Sequence, residues 1–289
     1  EADKRKLLQE KQKAEEEANN RIRLLEEKLE RISRLSSPKE KQQETKKAIE
    51  DYLKEGWTKL PDLNTERYCL GVAVGDGKLF AVGGYDGSND LKSGEYLDLK
   101  NVGAGWTKLP DMNTKRSRLG VAVGDGKLFA VGGYDGSNNL KSGEYLDLKN
   151  VGAGWTKLPD MNTKRSRLGM AVGDGKLFAV GGWDGSYRHK SGEYLDLNKM
   201  DAGWTKIPDM NTERSDLGVA VGDDKLFAVG GYDGNTLKNG EYLDLKNVGA
   251  GWTKLLDMNT VRSWLGVAVG DGKLFAVGGY DGSNTHKSG

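Results

Sequence analysis

Five tryptophans at almost constant spacing constrain the fold of this chain more than any other feature. They stand 49, 49, 49 and 48 residues apart, and each opens a nearly identical block of sequence. A period of this length is typical of an array of supersecondary units that stack on one another. The copies can also be compared with one another: positions that agree indicate the demands of the fold, and positions that differ are candidates for a functional role. The tryptophans are Trp57, Trp106, Trp155, Trp204 and Trp252.

Each block predicts four short strands. Residues 71–74 (G-V-A-V) and 79–84 (L-F-A-V-G-G) flank an Asp-Gly pair. Such a pair between β-rich segments predicts a hairpin with a type I′ turn, which needs a positive φ at both central residues. Residues 95–99 (E-Y-L-D-L) and 105–109 (G-W-T-K-L) supply the third and fourth strands. Four strands in about 49 residues is the size of one propeller blade.

The order of a glycine doublet, a Glu-Tyr pair and a tryptophan resembles the kelch motif. In the first copy these are Gly83-Gly84, Glu95-Tyr96 and Trp106, and the doublet recurs from residues 132, 181, 230 and 278. The resemblance covers residues 56–289. It implies an all-β propeller of four-stranded kelch-type blades, with G-V-A-V as the inner strand of each blade and G-W-T-K-L as the outermost.

The number of blades does not follow directly from the repeats. There are five inner-strand segments but four copies of E-Y-L-D-L, and the sequence stops at Gly289, where a fifth copy would begin. We therefore expect the propeller domain, residues 56–289, to be truncated at its C-terminus. A continuation by one strand gives five blades, and a continuation by a further block gives six, the commoner count in the family.

Residues 1–55 form a different kind of segment, since they contain no glycine. An apolar seam with heptad spacing predicts a charged α-helix and a short coiled coil, which we interpret as a tether to an assembly. Ser37 and Glu40 form an S-x-x-E capping box, so a second helix is expected after a break near residues 36–38. The alternative is that the extension packs on the neighbouring domain. The seam consists of Ile22, Leu25, Leu29 and Ile32, preceded by Ala18.

Composition argues against several classes of function. Lysine and arginine number 44 and aspartate and glutamate 43, without the basic excess expected of a nucleic-acid-binding protein. No run of 18 apolar residues is present, so membrane insertion is not expected. Cys69 is the single cysteine, which fits a reducing compartment. We therefore expect an intracellular protein, cytoplasmic or organellar.

Differences among the copies concentrate in two loops. One precedes each inner strand and the other follows each glycine doublet, so both lie at the same end of the blades. The resemblance implies that this face binds a protein or peptide, and Trp, Tyr and Arg are frequent in binding hot spots. Neutral drift in exposed loops is the alternative. The predicted partner-binding residues are Arg118, Arg167, Trp183, Tyr187, Arg188, His189, Asp216 and Trp264.

No pattern of catalytic or metal-ligating residues emerges from the sequence. The two histidines, His189 and His286, occupy equivalent loop positions, and no zinc-binding spacing is present. We predict no catalytic residue, no metal, no cofactor and no small-molecule substrate. The predicted function is a non-enzymatic scaffold that binds proteins within a larger assembly. The alternatives are a structural subunit held by its helices and blade rims, and an enzyme that works at the channel mouth.

Overall fold

The computed structural model describes residues 23, 27, 30–35, 37, 40–45 and 59–285. These residues fall into two compact units. One contains the residues up to 63 together with residues 97–106, and the other contains residues 64–96 together with those from 107 onwards. The predicted boundary between residues 55 and 56 remains a prediction, because the residues on both sides of it lie outside the described part of the chain.

Several described residues of the first unit are helical. Residues 30–33 and 40–45 are helical, and residues 34, 35 and 37 between them are not. The Glu40 amide donates a 3.4 Å hydrogen bond to Ser37 Oγ, the contact expected of an N-capping serine. Arg31 and Glu44 form an exposed ion pair at 3.6 Å. Over the residues that are described, no helix is long and apolar enough to cross a bilayer.

The strands form four four-stranded antiparallel blades and a fifth blade of two strands among the described residues. In each complete blade the strands lie side by side in chain order. The strands are β1 (Gly71–Gly75), β2 (Lys78–Val82), β3 (Gly94–Asp98), β4 (Thr107–Lys108), β5 (Gly120–Gly124), β6 (Lys127–Val131), β7 (Gly143–Asp147), β8 (Trp155–Lys157), β9 (Gly169–Gly173), β10 (Lys176–Val180), β11 (Gly192–Asp196), β12 (Trp204–Ile207), β13 (Gly218–Gly222), β14 (Lys225–Val229), β15 (Gly240–Asp244), β16 (Trp252–Lys254), β17 (Gly266–Gly270) and β18 (Lys273–Val277).

The prediction of an all-β propeller with four-stranded blades is confirmed. The inner hairpins have the predicted turn, since Asp76 and Gly77 take φ values of 50° and 69° between β1 and β2. The same left-handed pair occurs in every copy, including Asp223-Asp224 in the fourth blade. The turn chemistry therefore sets the register of each hairpin.

The hydrophobic core lies between neighbouring blades. Phe129 and Val131 on β6 are fully buried and cluster with Met161 and Leu168, which precede the inner strand of the next blade. The outer-strand tryptophan adds a polar anchor, because Trp155 Nε1 donates a 2.9 Å hydrogen bond to the carbonyl of Pro110. Trp204 and Trp252 make the equivalent bonds.

The arginine shared by all five copies has a structural role. Arg116 is buried and donates hydrogen bonds to the carbonyls of Gly132 and Ser142 and to Glu144 Oε1. The other Glu144 oxygen accepts the Asn113 amide at 2.7 Å. Burial lowers the pKa of Arg116, and the Glu144 carboxylate opposes that shift. In the four complete blades, this pairing of Arg with Glu fixes the loop that leads into the inner strand.

Candidate functional site

One residue in each copy, two positions after the structural arginine, adopts a left-handed backbone conformation. Arg118 has φ = 51°, and its amide donates a 2.8 Å hydrogen bond to the carbonyl of Cys69 in the preceding blade. An equivalent hydrogen bond links each later blade to the one before it. The left-handed conformation therefore points the amide of each of these residues toward the preceding blade. A non-glycine residue in this region is strained by about 1–2 kcal/mol. The five residues, with φ from 51° to 56°, are Cys69, Arg118, Arg167, Asp216 and Trp264.

These five side chains line a single depression of about 270 Å³. The leucine that follows each of the first four contributes to the wall, as Leu119 does after Arg118. Pockets for drug-sized ligands usually enclose about 300–1,000 Å³. The depression is therefore of a size to receive one or two side chains of a larger partner. We call it the loop-face depression.

Asp216 holds one side of the loop-face depression in place. It is 8% exposed, and its carboxylate accepts hydrogen bonds from Ser215 Oγ at 2.9 Å and from Trp264 Nε1 at 2.5 Å. Arg167 Nη1 lies 3.6 Å from the same carboxylate. Asp216 therefore positions Arg167 and Trp264, and neutralises the arginine. Arg118 is exposed and adds a positive charge to the lining of the depression.

A second depression, of about 180 Å³, adjoins the first through Cys69 and Arg118. Tyr68 and Tyr85 meet edge to face in its wall, with ring centroids 5.3 Å apart. Arg118 is thus flanked on one side by tyrosine rings and on the other by the loop-face depression. This arrangement suits a partner that carries a negative group beside apolar surface.

The variable loop of the third blade builds a separate cationic cluster. The Arg188 guanidinium lies over the rings of Trp183 and Tyr232, 5.2 and 4.6 Å from their centroids. Stacking between two rings restricts the arginine and leaves its edges to donate hydrogen bonds. Tyr187, at the tip of the loop, is largely exposed. We call Trp183, Arg188 and Tyr232 the stacked-arginine cluster.

His189 lies beside this cluster and carries little charge at neutral pH. Burial lowers the pKa of His189 below its ordinary value of 6.5, and the nearby Arg165 guanidinium lowers it further. The Asp184 carboxylate, with Oδ2 3.1 Å from His189 Nε2, opposes the shift. The positive charge of this loop therefore comes from Arg188.

The structure brings the predicted site residues together in two groups. Four of them line the loop-face depression, and the other four follow the glycine doublet of the third blade. Trp183 is bridged to Ser166, the residue before Arg167, so the two loops of that blade are held side by side. The first group is Arg118, Arg167, Asp216 and Trp264, and the second is Trp183, Tyr187, Arg188 and His189.

Several residues of the site were not predicted, among them Cys69 and Tyr232, and one predicted set lies largely outside the described residues. Cys69 occupies the variable position of the first copy, so alignment of the copies alone could have included it. Tyr232 belongs to a repeated position, and its contact with Arg188 depends on the packing of neighbouring blades. Of the predicted helical tether, Ile32 is helical and half-buried, whereas Ile22, Leu25 and Leu29 lie outside the described part of the chain.

The described residues contain no group of three or more His, Cys, Asp or Glu side chains placed to hold a metal ion.

Comparison with family models is decisive for classification. The model described as Kelch motif matches residues 66–113, 115–162, 164–211 and 213–247, more than half of the chain.

The chain belongs to the kelch-motif family. The matched repeats coincide with the blades, each match beginning in the loop before an inner strand. The kelch propeller is a common protein-interaction fold, and kelch domains typically bind proteins without catalysing a reaction. No curated protein sequence matches the chain significantly.

Proposed function

We propose that this kelch propeller binds a protein or peptide through the loop-face depression, as a non-enzymatic scaffold. One observation carries the proposal. Five residues at one backbone position are held in the left-handed conformation, yet four of them are neither glycine, asparagine nor aspartate, the residues that adopt it most readily. Their backbones are equivalent and their side chains differ, so the strained position serves to present particular side chains.

The chemistry of the depression defines the partner. Arg118 is exposed and supplies a positive charge, and Trp264, 63% exposed, supplies a flat apolar surface. An exposed tryptophan and a nearby arginine are the residue types most often found at binding hot spots. The partner we infer is therefore a peptide segment with a carboxylate next to an aromatic or aliphatic side chain.

The stacked-arginine cluster extends the same surface. Arg188 is preorganised between two rings, so less conformational entropy is lost when it binds an acidic group. Tyr187, exposed beside it, adds contact area. A partner that reaches from the loop-face depression to the third blade would meet a second positive site along its length.

Selection of peptides from a random library on the purified chain tests the proposal. Selected peptides are expected to contain Asp or Glu beside an apolar residue. Arg118→Glu should weaken their binding at least about tenfold, because it places like charges together. Trp264→Ala should weaken binding by a similar factor, through loss of apolar contact.

Matched variants make that test specific. Lys149 lies near the Asp125-Gly126 turn, at the opposite end of β5 from Arg118, and Lys149→Glu makes the same change of charge. Leu256→Ala removes an exposed apolar side chain from another part of the second unit. Both controls should bind within about twofold of the wild type. Equal binding by Arg118→Glu and the wild type would contradict the proposal.

A further inference from the structure

One junction between blades already holds a guanidinium between two aromatic rings. Arg188 lies between Trp183 of the third blade and Tyr232 of the fourth, 5.2 and 4.6 Å from the ring centroids. Each ring belongs to the residue that follows a glycine doublet, and this residue is aromatic in all five copies. We call the space between two such rings on neighbouring blades a junction slot. The rings of a junction slot can therefore stabilise a cation.

The junction slot between the first and second blades has the same pair of aromatic positions and an open cavity. The counterparts of Trp183 and Tyr232 there are Tyr85 and Tyr134, and both line the second depression, of about 180 Å³. Both of the blades that flank it have all four strands. This slot therefore offers space at a place where a later slot holds the Arg188 side chain.

The first copy adds a third ring to its junction slot. Position 68 is a buried serine in each of the four later copies, whereas Tyr68 lines the cavity. Its ring meets that of Tyr85 at an angle of 69°, so the two rings form a corner, and Tyr134 also borders the cavity. Several rings around one space form an aromatic cage, which attracts a cation through the negative ring faces.

A carboxylate takes the place of Arg188 in the first slot. Asp90 is bridged to Tyr85 as Arg188 is bridged to Trp183, so the two residues are equivalent. Asp90 lines the cavity and reaches toward the second blade, since a Cβ on Gly136 would lie 2.9 Å from Asp90 Oδ2. A stacked guanidinium keeps its N–H groups at its edge, where a carboxylate can accept hydrogen bonds from them.

Two positive charges border the cavity and oppose the entry of another cation. Arg118 lines both this cavity and the loop-face depression, and Lys115 Nζ would lie 3.1 Å from the same Cβ on Gly136. Both side chains are exposed, so water and salt screen their charges. Binding of a cation here therefore requires the Asp90 carboxylate as well as the rings.

We propose that the second depression binds an arginine side chain of a protein partner. The guanidinium stacks on Tyr134 and donates hydrogen bonds to the Asp90 carboxylate, and Tyr68 and Tyr85 border the same space. The occupant is a guanidinium because the chain fills the equivalent slot with its own Arg188. This inference does not rest on the binding of acidic peptides in the loop-face depression. A partner that fills both depressions would carry an arginine beside its acidic residue.

NMR titration of the full chain with short peptides tests the proposal. Acetyl-Ala-Arg-Ala-amide has a guanidinium as its only charge, and the peptide with citrulline in place of arginine has nearly the same shape without the charge. The arginine peptide should shift the ring signals of the cavity tyrosines, and the citrulline peptide should bind at least about fivefold more weakly. The corresponding lysine peptide should also bind more weakly than the arginine peptide, because an ammonium lacks the planar fork of donors.

Residues that other copies carry at the same repeat positions supply the variants. Asp90→Asn installs the residue of the second copy and should raise the dissociation constant of the arginine peptide about threefold to fivefold. Asp90→Arg installs that of the third copy and should raise it at least about tenfold, since the slot then holds its own guanidinium. Tyr68→Ser should raise it about threefold, through loss of one ring.

A matched control makes the same change of charge as Asp90→Asn at the opposite end of a blade. Asp125 is exposed in the turn between β5 and β6, and asparagine adopts its left-handed conformation readily. Asp125→Asn should bind the arginine peptide within about twofold of the wild type.

Arg118→Glu separates this site from the loop-face depression. It replaces a positive charge on the cavity wall with a negative one, so it should bind the arginine peptide about twofold to fivefold more tightly than the wild type. The same variant should weaken the binding of acidic peptides. Opposite effects of one substitution on the two kinds of peptide therefore distinguish the two sites.

Several results would overturn the proposal. These are equal affinity for the arginine and citrulline peptides, tighter binding of the lysine peptide, wild-type affinity in Asp90→Arg, or weaker binding of the arginine peptide by Arg118→Glu. Acidic peptides that fail to bind, while the arginine peptide binds as expected, would contradict the function proposed for the loop-face depression and support this site. Circular dichroism of every variant verifies that the blades remain folded.

Discussion

At the scale of single residues, glycines and buried charges determine how the blades fit together. Gly218 leaves space for a valine from the next blade, whereas Gly266 at the same repeat position has no such neighbour. Arg165 and Glu193 form a buried ion pair. Removing either residue would leave the charge of the other buried without a partner. The same residue at the same repeat position can therefore contribute differently to stability, depending on the residues that pack against it.

The two glycines allow a matched measurement. Gly218→Ala should lower the free energy of unfolding by about 1–3 kcal/mol, because its Cβ would lie 2.1 Å from Val267 Cγ2. Gly266→Ala should change it by less than about 0.5 kcal/mol. Urea denaturation of both variants checks the difference. Equal destabilisation would show that steric contact between blades is not the cause.

Breaking the buried pair should have a large effect. Arg165→Met removes the partner of the buried Glu193 carboxylate and should cost about 3–5 kcal/mol of stability. Lys141→Met breaks an exposed ion pair, in which Lys141 Nζ lies 3.3 Å from Asp160 Oδ2, and should cost less than about 1 kcal/mol. Chemical denaturation distinguishes the two, and similar losses would contradict the structural role of the repeated arginine.

His189 predicts a pH dependence of stability. Its pKa in the folded protein lies below the ordinary value of 6.5, so the unfolded chain binds a proton more readily. Stability should therefore fall as the pH drops through and below 6.5, until the folded protein also becomes protonated.

The variant His189→Gln isolates this contribution. Its free energy of unfolding should decline less than that of the wild type between about pH 7.5 and about pH 5.5. Denaturation curves at several pH values measure the difference. Parallel pH profiles for the two proteins would rule out this linkage.

At the scale of secondary-structure elements, the inner hairpins are nearly identical apart from the fourth. Four copies place glycine at the second turn position, whereas the fourth has Asp224 at φ = 57°. The backbone still forms the turn, so the hairpin tolerates the strain. Asp224 also forms an exposed ion pair with Lys246, a contact of limited value at the surface.

Restoring glycine should relieve that strain. Asp224→Gly is expected to raise the free energy of unfolding by about 1 kcal/mol, since glycine adopts positive φ without steric cost. The reciprocal change Gly175→Asp in the third hairpin should lower it by a similar amount. Thermal and urea denaturation of the pair check this. A destabilised Asp224→Gly protein would mean that the ion pair with Lys246 outweighs the turn.

At the scale of the whole molecule, sequence reasoning recovered the repeated elements and missed contacts between them. The Asp-Gly turns, the strand segments and the family follow from local patterns that recur with the repeat. Two contacts connect different blades, so no single repeat reveals them. Arg188 stacks on Tyr232, and Trp264 Nε1 donates a hydrogen bond to Asp216.

The loop face is central to the function inferred for this propeller, and site-specific photo-crosslinking tests it most directly. A photoreactive side chain at position 115, in the loop that carries Arg118, is compared with one at position 149 at the opposite end of the blade, in an extract of the source cells. We predict a discrete protein adduct from position 115 that Arg118→Glu abolishes, and none from position 149. Adducts from position 149 alone, or an adduct from position 115 that survives Arg118→Glu, would contradict a role of the loop face in binding.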